Sequence, residues 1–230
     1  MPSQGHTVAN VSHRAVDEKL LLLINREWTH PALDWLMAVV SSWDAWLPVF
    51  FIIGAVLIVR GGFRARALVV AALLVVAVND GIISRVMKRT IDRPRPHQSH
   101  NDVRVVDLAK ARPRLLAIGK PAKVKLSRVS LDEVEGRSFP SAHTMNFFSL
   151  ALVAVAFFGG SLSWLFAIGA LVGYSRIYTG AHWPSDVLTS IFLAAGTTLL
   201  LLALFEWAWR KWGARVFPRI YALHPTLLPR

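Results

Sequence analysis

Several stretches of this chain are apolar for close to the roughly 20 residues that a helix needs to cross a bilayer, and each ends in arginine, proline or clustered tryptophan. That pattern predicts repeated passage through a membrane. The first runs from Ala45 to Val59 and closes on a tight basic turn with Arg60, Gly61, Gly62, Arg64 and Arg66. The second runs from Ala67 to about Met87. The third begins near Ser141 and ends at Gly159-Gly160, the fourth spans Ser163 to Tyr178, and the fifth opens at Pro184 and ends among Glu206, Trp207, Trp209, Arg210, Lys211 and Trp212. Aromatic and basic residues of that kind mark a membrane interface.

The predicted fold is therefore all-α: one polytopic membrane-embedded helical bundle over residues 1–230 with five spans. Residues 1–44 form an N-terminal segment whose apolar pieces within 16–43 are broken by Arg26, Glu27, His30 and Pro31, so they are expected to lie at the interface. Residues 88–139 make a long extramembrane loop, and 210–230 a tail. Residues 1–16 hold no apolar core of a secretory signal, so the reading starts at the first residue.

Composition narrows the chemistry. Hydrophobic residues make up 54% of the chain, and the absence of cysteine removes disulfide and thiolate chemistry. The formal charge of +12 invites a nucleic-acid reading. In so apolar a chain the expected anions are instead membrane lipid headgroups and a phosphorylated substrate. With five spans, the 60–66 turn and the tail share one face and carry arginines and lysines close to helix ends. The positive-inside rule makes that face cytoplasmic. The long loop is then periplasmic or extracellular, although its own positive charge opposes the assignment.

Three polar clusters fall at span ends on the long-loop face. Where the second span ends, Lys88 is followed by Arg89, Arg93, Pro94, Arg95 and Pro96. Lysine offers a point charge and arginine a planar fork matched to phosphoryl oxygens, though a basic helix end also binds lipid headgroups. At the start of the third span stand Ser138, Phe139, Pro140, Ser141, Ala142 and His143. The unpaired N–H groups of a helix start suit an anion, whereas Ser141 alone reads as a cap and His143 alone as an interfacial histidine. The fourth span ends with Ser175-Arg176, and His182, Trp183, Pro184, Ser185 and Asp186 follow across the turn. His182 and Asp186 are four apart around a helix start, so the carboxylate can orient the ring while the other nitrogen attacks.

These blocks, KRTIDRPRP, PSAH and SRIYTGAHWPSD, resemble in order the KxxxxxxRP, PSGH and SRxxxxxHxxxD patterns of the type 2 phosphatidic acid phosphatase superfamily. Each fixed position matches by chance about one time in 20, so the ordered set is highly specific. The resemblance covers Lys88 to Asp186 by motif. It implies that Lys88, Arg95 and Arg176 bind the phosphoryl group together with Ser141 and the backbone of Ala142. It further implies that His143 is the general acid, His182 the nucleophile forming a phosphohistidine, and Asp186 the residue orienting His182. Ala142 departs from the family's glycine, and the family's lipid phosphatases commonly have six spans where five are found here.

The implied activity is metal-independent and cofactor-free hydrolysis of a phosphate or pyrophosphate group from a membrane lipid, with undecaprenyl pyrophosphate preferred. Phosphatidylglycerol phosphate, phosphatidic acid, lipid A and lipid-to-lipid phosphotransfer are the alternatives. The implied place is a bacterial inner membrane with the site facing outward, and oligomeric state is left open. A metal site at His182 and Asp186 is disfavoured by the surrounding cations. A transporter would carry polar residues through the full thickness of several spans, and a lipid-binding scaffold would need the basic residues without His182. A soluble haloperoxidase would not need the spans.

Other polar residues receive plainer expectations. Asp80, Ser84 and Lys88 recur every four residues, on one stripe facing the bundle interior. Asp80 tunes the site or makes a structural hydrogen bond or ion pair, Arg85 snorkels, Asn146 is packing glue or supports the site from one turn beyond His143, and His97 and His100 are solvated surface or touch the substrate. Tyr174 and Trp183 are interfacial aromatics or line the lipid entry. The loop from Asn101 to Arg137 is expected to help select the headgroup.

Overall fold

A computed structural model of the chain describes residues 5–112, 114–129 and 137–229. Helix α1 (Gly5–Leu22) continues into a π-helical turn at Leu23–Glu27, and α2 (Pro31–Ser41) follows. Proline suits the first turn of α2 because its missing N–H is not needed there. The His30 ring caps it by accepting the Ala32 N–H at 3.2 Å. Helix α3 (Trp43–Arg60) leads into one continuous 29-residue helix, Phe63–Ile91, made of α4 (Phe63–Val78), a π-helical segment at Asn79–Ile83, and α5 (Ser84–Ile91).

Across the former loop come α6 (Pro96–Ser99), strand β1 (Arg104–Asp107), a 3-10 helix at Arg114–Gly119 and strand β2 (Lys123–Leu126). The two strands pair antiparallel, with Val105 opposite Lys125. Then α7 (Ala142–Phe158) and α8 (Leu165–Tyr178) are joined through Gly159, whose φ of 90° is open to glycine. Finally α9 (Pro184–Val216) and α10 (Pro218–Leu223) close the chain.

Helix α3, the Phe63–Ile91 helix and α9 are long and apolar enough to cross a membrane. The 33 residues of α9 reach about 50 Å at about 1.5 Å per residue, beyond the roughly 30 Å of hydrocarbon. Its Trp and Arg end therefore emerges from the bilayer. Helices α7 and α8 are the shorter pair, with 17 and 14 residues. The expected bundle is thus present: α7 packs on α8, α9 and α4, while α3 buries none of its residues. Phe51 at 76% exposed and Val59 at 75% would be costly in water, so the outer face of α3 is lipid-facing.

The core joins α4, α7 and α9 through Ala67, Ala71, Val75, Val153, Phe157 and Leu202. Small side chains on α4 let backbones approach closely, the packing that membrane helices favour. Beside them runs a polar seam: Asn79 Nδ2 donates to Ser149 Oγ at 3.0 Å, and the Thr198 hydroxyl meets the same oxygen at 2.8 Å.

The expected inward stripe of Asp80, Ser84 and Lys88 is only partly realised. The wider π turn inserts an extra residue into the helical register. It turns Asn79 fully inward and leaves Asp80 exposed, where its carboxylate accepts both bonds from Asn146 Nδ2 at 3.0 and 3.1 Å. The long polar loop contains the β1–β2 ribbon. Arg104 ties that ribbon to α2 through a two-pronged contact with Asp34 at 2.8 Å, and the Asn25 amide donates to the carbonyls of both Arg104 and Tyr178 at 2.8 and 2.7 Å. The stretch from Asn101 to Arg137 expected to select a headgroup lies partly outside the described residues.

Candidate active site

Antiparallel packing brings one end of each long helix to the same rim. Lys88 stands in the last turn of α5, Arg95 opens α6, and Ser141, Ala142 and His143 start α7. Arg176 closes α8, His182 occupies the turn after it, and Asp186 begins α9. Lys88, Arg95, Arg176 and His182 all lie within electrostatic reach of His143, and Arg95 and Arg176 within reach of both Lys88 and His182. The three sequence blocks therefore form one cationic cup.

The turn carrying His182 is held from several sides. The N–H groups of Ala181 and His182 both donate to the Arg176 carbonyl, at 3.0 and 3.1 Å, which folds the turn back onto the exposed end of α8. Gly180 has φ of 70°, and a Cβ there would stand 2.7 Å from the Arg104 carbonyl oxygen. The ribbon is thus pressed against the turn at a point where only glycine fits. His97 Nδ1 lies 2.9 Å from the Gly180 carbonyl, so this histidine is part of the turn's support and not the expected solvated surface. Trp183 is also no interfacial aromatic: it is buried, with its indole N–H donated to the Pro94 carbonyl at 2.9 Å.

His182 is 3% exposed. Burial pushes its imidazole down to about 4, with the charges of Arg176 and Arg95 adding to the effect and Asp186 opposing it. The ring is neutral at physiological pH, as a nucleophile requires. Its Nδ1 is buried without a hydrogen-bond partner and lies 3.9 Å from Asp186 Oδ2. That distance is an ion-pair separation and exceeds a hydrogen bond. The reason is competition, because the Asp186 carboxylate accepts from Arg93 Nη1 at 2.5 Å, from the Ser138 hydroxyl, and from the Trp183 N–H at 3.1 Å.

The cations are anchored as well. Arg176 donates Nη1 to the carbonyl of Ser41 at 3.1 Å and to its hydroxyl, while its Nε is buried and unpaired. Arg95 is held below its ordinary value by burial and by the charge of Arg137. His143 is partly buried, with the Trp43 ring edge-on at 5.6 Å. Ser141 is fully buried; its N–H is donated to Ser190 Oγ at 2.8 Å and its hydroxyl meets that of Thr144 at 2.9 Å. Its N–H thus has a partner inside the protein, and its hydroxyl and that of Thr144 share one hydrogen bond. Ala142 is the first residue of α7, at the amide-rich start of that helix, where its methyl is only partly exposed.

Sequence reasoning missed several supporting residues. Arg93 stood in the first block without an assigned partner, and Asp17, Ser41 and Ser138 carried no role. Ser138 lies two residues before the PSAH block and Arg93 in a doubled Arg-Pro, which is the only local signal. Among the described residues no group of three or more His, Cys, Asp or Glu could hold a metal ion, and the cations of the cup would repel one. What the cup can do is hold a phosphoryl dianion among lysine and guanidinium groups with a neutral imidazole beside it.

Fold and cup together define a multi-pass membrane protein with a cationic, histidine-bearing rim. The chain belongs to the PAP2 superfamily, whose pattern matches residues 68–210. It is similar to the undecaprenyl-diphosphatase BcrC of Bacillus subtilis, 41% identical over 58 residues, which are 25% of this chain and 30% of that protein. It is also similar to the lipid A 4'-phosphatase of Bacteroides thetaiotaomicron, 25% identical over 181 residues, covering 77% of this chain and 72% of that one. The first curated relatives are matched over only 30% to 40% of their length. Among solved structures, LpxE of Aquifex aeolicus shares the fold with a TM-score of 0.60 and 23% identity, over 82% of this chain and 95% of that one.

Proposed function

We propose that this chain hydrolyses a phosphate or pyrophosphate group from a membrane lipid through a phosphohistidine on His182. The observation that carries the reading is the placement of a neutral, buried imidazole on a fixed turn beside Arg176 and Arg95. Nδ1 faces Asp186, so Nε2 is the nitrogen that attacks phosphorus. Lys88, Arg95 and Arg176 bind the equatorial oxygens, aided by the start of α7 at Ser141 and Ala142. His143 gives its proton to the departing lipid oxygen. A water then cleaves the P–N bond, releasing inorganic phosphate and restoring the neutral ring.

Undecaprenyl pyrophosphate is the substrate we favour, on the similarity to BcrC. The longer alignment with the lipid A phosphatase favours a phosphorylated glycolipid as the second reading. Phosphatidylglycerol phosphate, phosphatidic acid and an acceptor lipid in place of water use the same residues. The site then faces the outer side of a bacterial inner membrane, among anionic headgroups. Phosphate release from a panel of purified lipid phosphates and diphosphates tests this, with His182→Ala as the control. Release that survives in the variant, or release from no lipid in the panel, overturns the proposal.

A further inference from the structure

The Asp186 carboxylate is one end of a chain of buried charges that reaches α1. Arg93 gives one nitrogen, Nη1, to Asp186 at 2.5 Å and the other, Nη2, to Asp17. The Asp17 and Asp186 side chains are 7% and 0% exposed. Asp17 also accepts the Ser185 N–H at 2.8 Å and the Ser185 hydroxyl at 2.5 Å. Ser185 is the second residue of α9, where backbone N–H groups have no partner within the helix. A carboxylate from α1 therefore caps the helix that presents Asp186 one residue later. Trp183 fixes the guanidinium from beside the same turn, 5.2 Å from ring centroid to Cζ.

We propose that Arg93 and Asp17 are positioning residues for catalysis, acting through Asp186 on His182, so that α1 belongs to the catalytic apparatus. This rests on the phosphatase reading given above. Buried carboxylates are costly unless paired. With one guanidinium shared by two carboxylates, the trio keeps one net negative charge. That charge is what Asp186 directs at His182 when attack makes the ring cationic. If Asp17 were neutral, Arg93 would be free to pair with Asp186 alone, and the carboxylate would be drawn from the 3.9 Å position it holds beside Nδ1. Arg95 and Arg176 face His182 from the cup side. On the outer side Arg14, Glu18 and His100 line a cavity of about 350 Å³ against Arg93 and Asp17, with His100 Nε2 3.4 Å from Glu18.

A mutant cycle in the full-length detergent-purified protein tests this, with radiolabelled short-chain phosphatidic acid as substrate. Asp17→Asn is expected to lower kcat about tenfold and to leave KM within about twofold, because the pair acts on the nucleophile and not on substrate binding. In an Asp186→Asn background the same change is expected to cost less than about twofold, since residues acting as one unit are not additive. Arg93→Lys should retain more kcat than Arg93→Gln. Equal losses in both backgrounds, or a rise in KM with kcat unchanged, overturn the relay. If Asp17→Asn is not monodisperse, Ser185→Ala removes a hydroxyl partner of both Asp17 and Arg93 and carries the same cycle. Wild-type protein inactive on phosphatidic acid and on every other lipid of the panel above would sink the phosphatase reading itself, whereas active wild type, inactive His182→Ala and an additive cycle would sink the relay alone.

Discussion

Arg176, a cation of the cup, donates to both the backbone carbonyl and the hydroxyl of Ser41, 135 positions earlier in the chain and at the end of α2. A helix C-terminus carries partial negative charge and unpaired carbonyls, so it is a natural seat for a guanidinium. The apolar helix that reads as interfacial in sequence thus sets the direction of a cationic side chain of the cup. Ser41→Ala removes the hydroxyl partner and keeps the carbonyl. Loss of one hydrogen bond to a charged group is worth about 1.5–3 kcal/mol, some of which the carbonyl retains. The expected outcome is a rise of about threefold to tenfold in the inhibition constant of inorganic phosphate, measured against lipid phosphate turnover.

Acid should weaken both activity and fold through His182. Its imidazole is held down to about 4 in the folded protein, by burial first, against about 6.5 in an unfolded chain. Between those values the unfolded state binds the proton and the folded state does not. His182 therefore contributes full stability above about pH 6.5 and loses it as pH falls through 4. The difference corresponds to about 3 kcal/mol. Melting temperatures measured from pH 7 down to pH 4 should fall more steeply for the wild type than for His182→Gln. Turnover should be bell-shaped in pH, since His182 must be neutral and His143 protonated. Activity that keeps rising well above the histidine range would count against these roles.

Gly180 and Gly196 make a paired test of the turn. A methyl on Gly180 would meet the Arg104 carbonyl oxygen at 2.7 Å and Val103 Cγ1 at 2.8 Å, at a φ of 70°. Gly180→Ala is expected to cost about 1–3 kcal/mol of stability and to reduce kcat sharply as the ribbon and the His182 turn separate. A methyl on Gly196, within α9, meets nothing within 4 Å. Gly196→Ala is expected to be neutral or to stabilise by up to about 1 kcal/mol. Thermal melts and turnover of the two variants, side by side, check the contrast.

How much of this was legible in the sequence depends on the range of the interaction. The helices follow from apolar length, and the polar clusters stand out by charge at span ends, while the choice of Lys88, Arg95, His143 and Arg176 within them comes from the resemblance to the phosphatase motifs. Contacts such as Arg176 with Ser41 or Arg93 with Asp17 left no local trace, because the partners lie in segments whose docking is set by tertiary packing. The π-helical turn at Asn79–Ile83 was hidden for another reason: its residues read as ordinary helix, and the seam with Ser149 and Thr197 that accompanies it is visible only in space. The bond from the Ser141 N–H to Ser190 on α9 was hidden in the same way, because that partner lies 49 positions further along the chain.

Chelation gives a further check on the chemistry. In the proposed mechanism lysine and guanidinium groups supply the charge that a divalent ion supplies elsewhere, and no carboxylate cluster among the described residues completes a metal shell. Turnover is expected to remain within about twofold after treatment with excess chelator and gel filtration. A large loss restored by added divalent ion would require a metal site outside this account.

The central claim is that the phosphoryl group passes to His182. The most direct measurement is acid-sensitive trapping: the purified protein is mixed with ³²P-labelled lipid phosphate, quenched in alkali within milliseconds, and digested for peptide mass spectrometry. The account predicts an alkali-stable, acid-labile phosphate on the peptide carrying His182 and none in His182→Ala. Label on another residue, or lipid turnover by the variant at the wild-type rate, would contradict it.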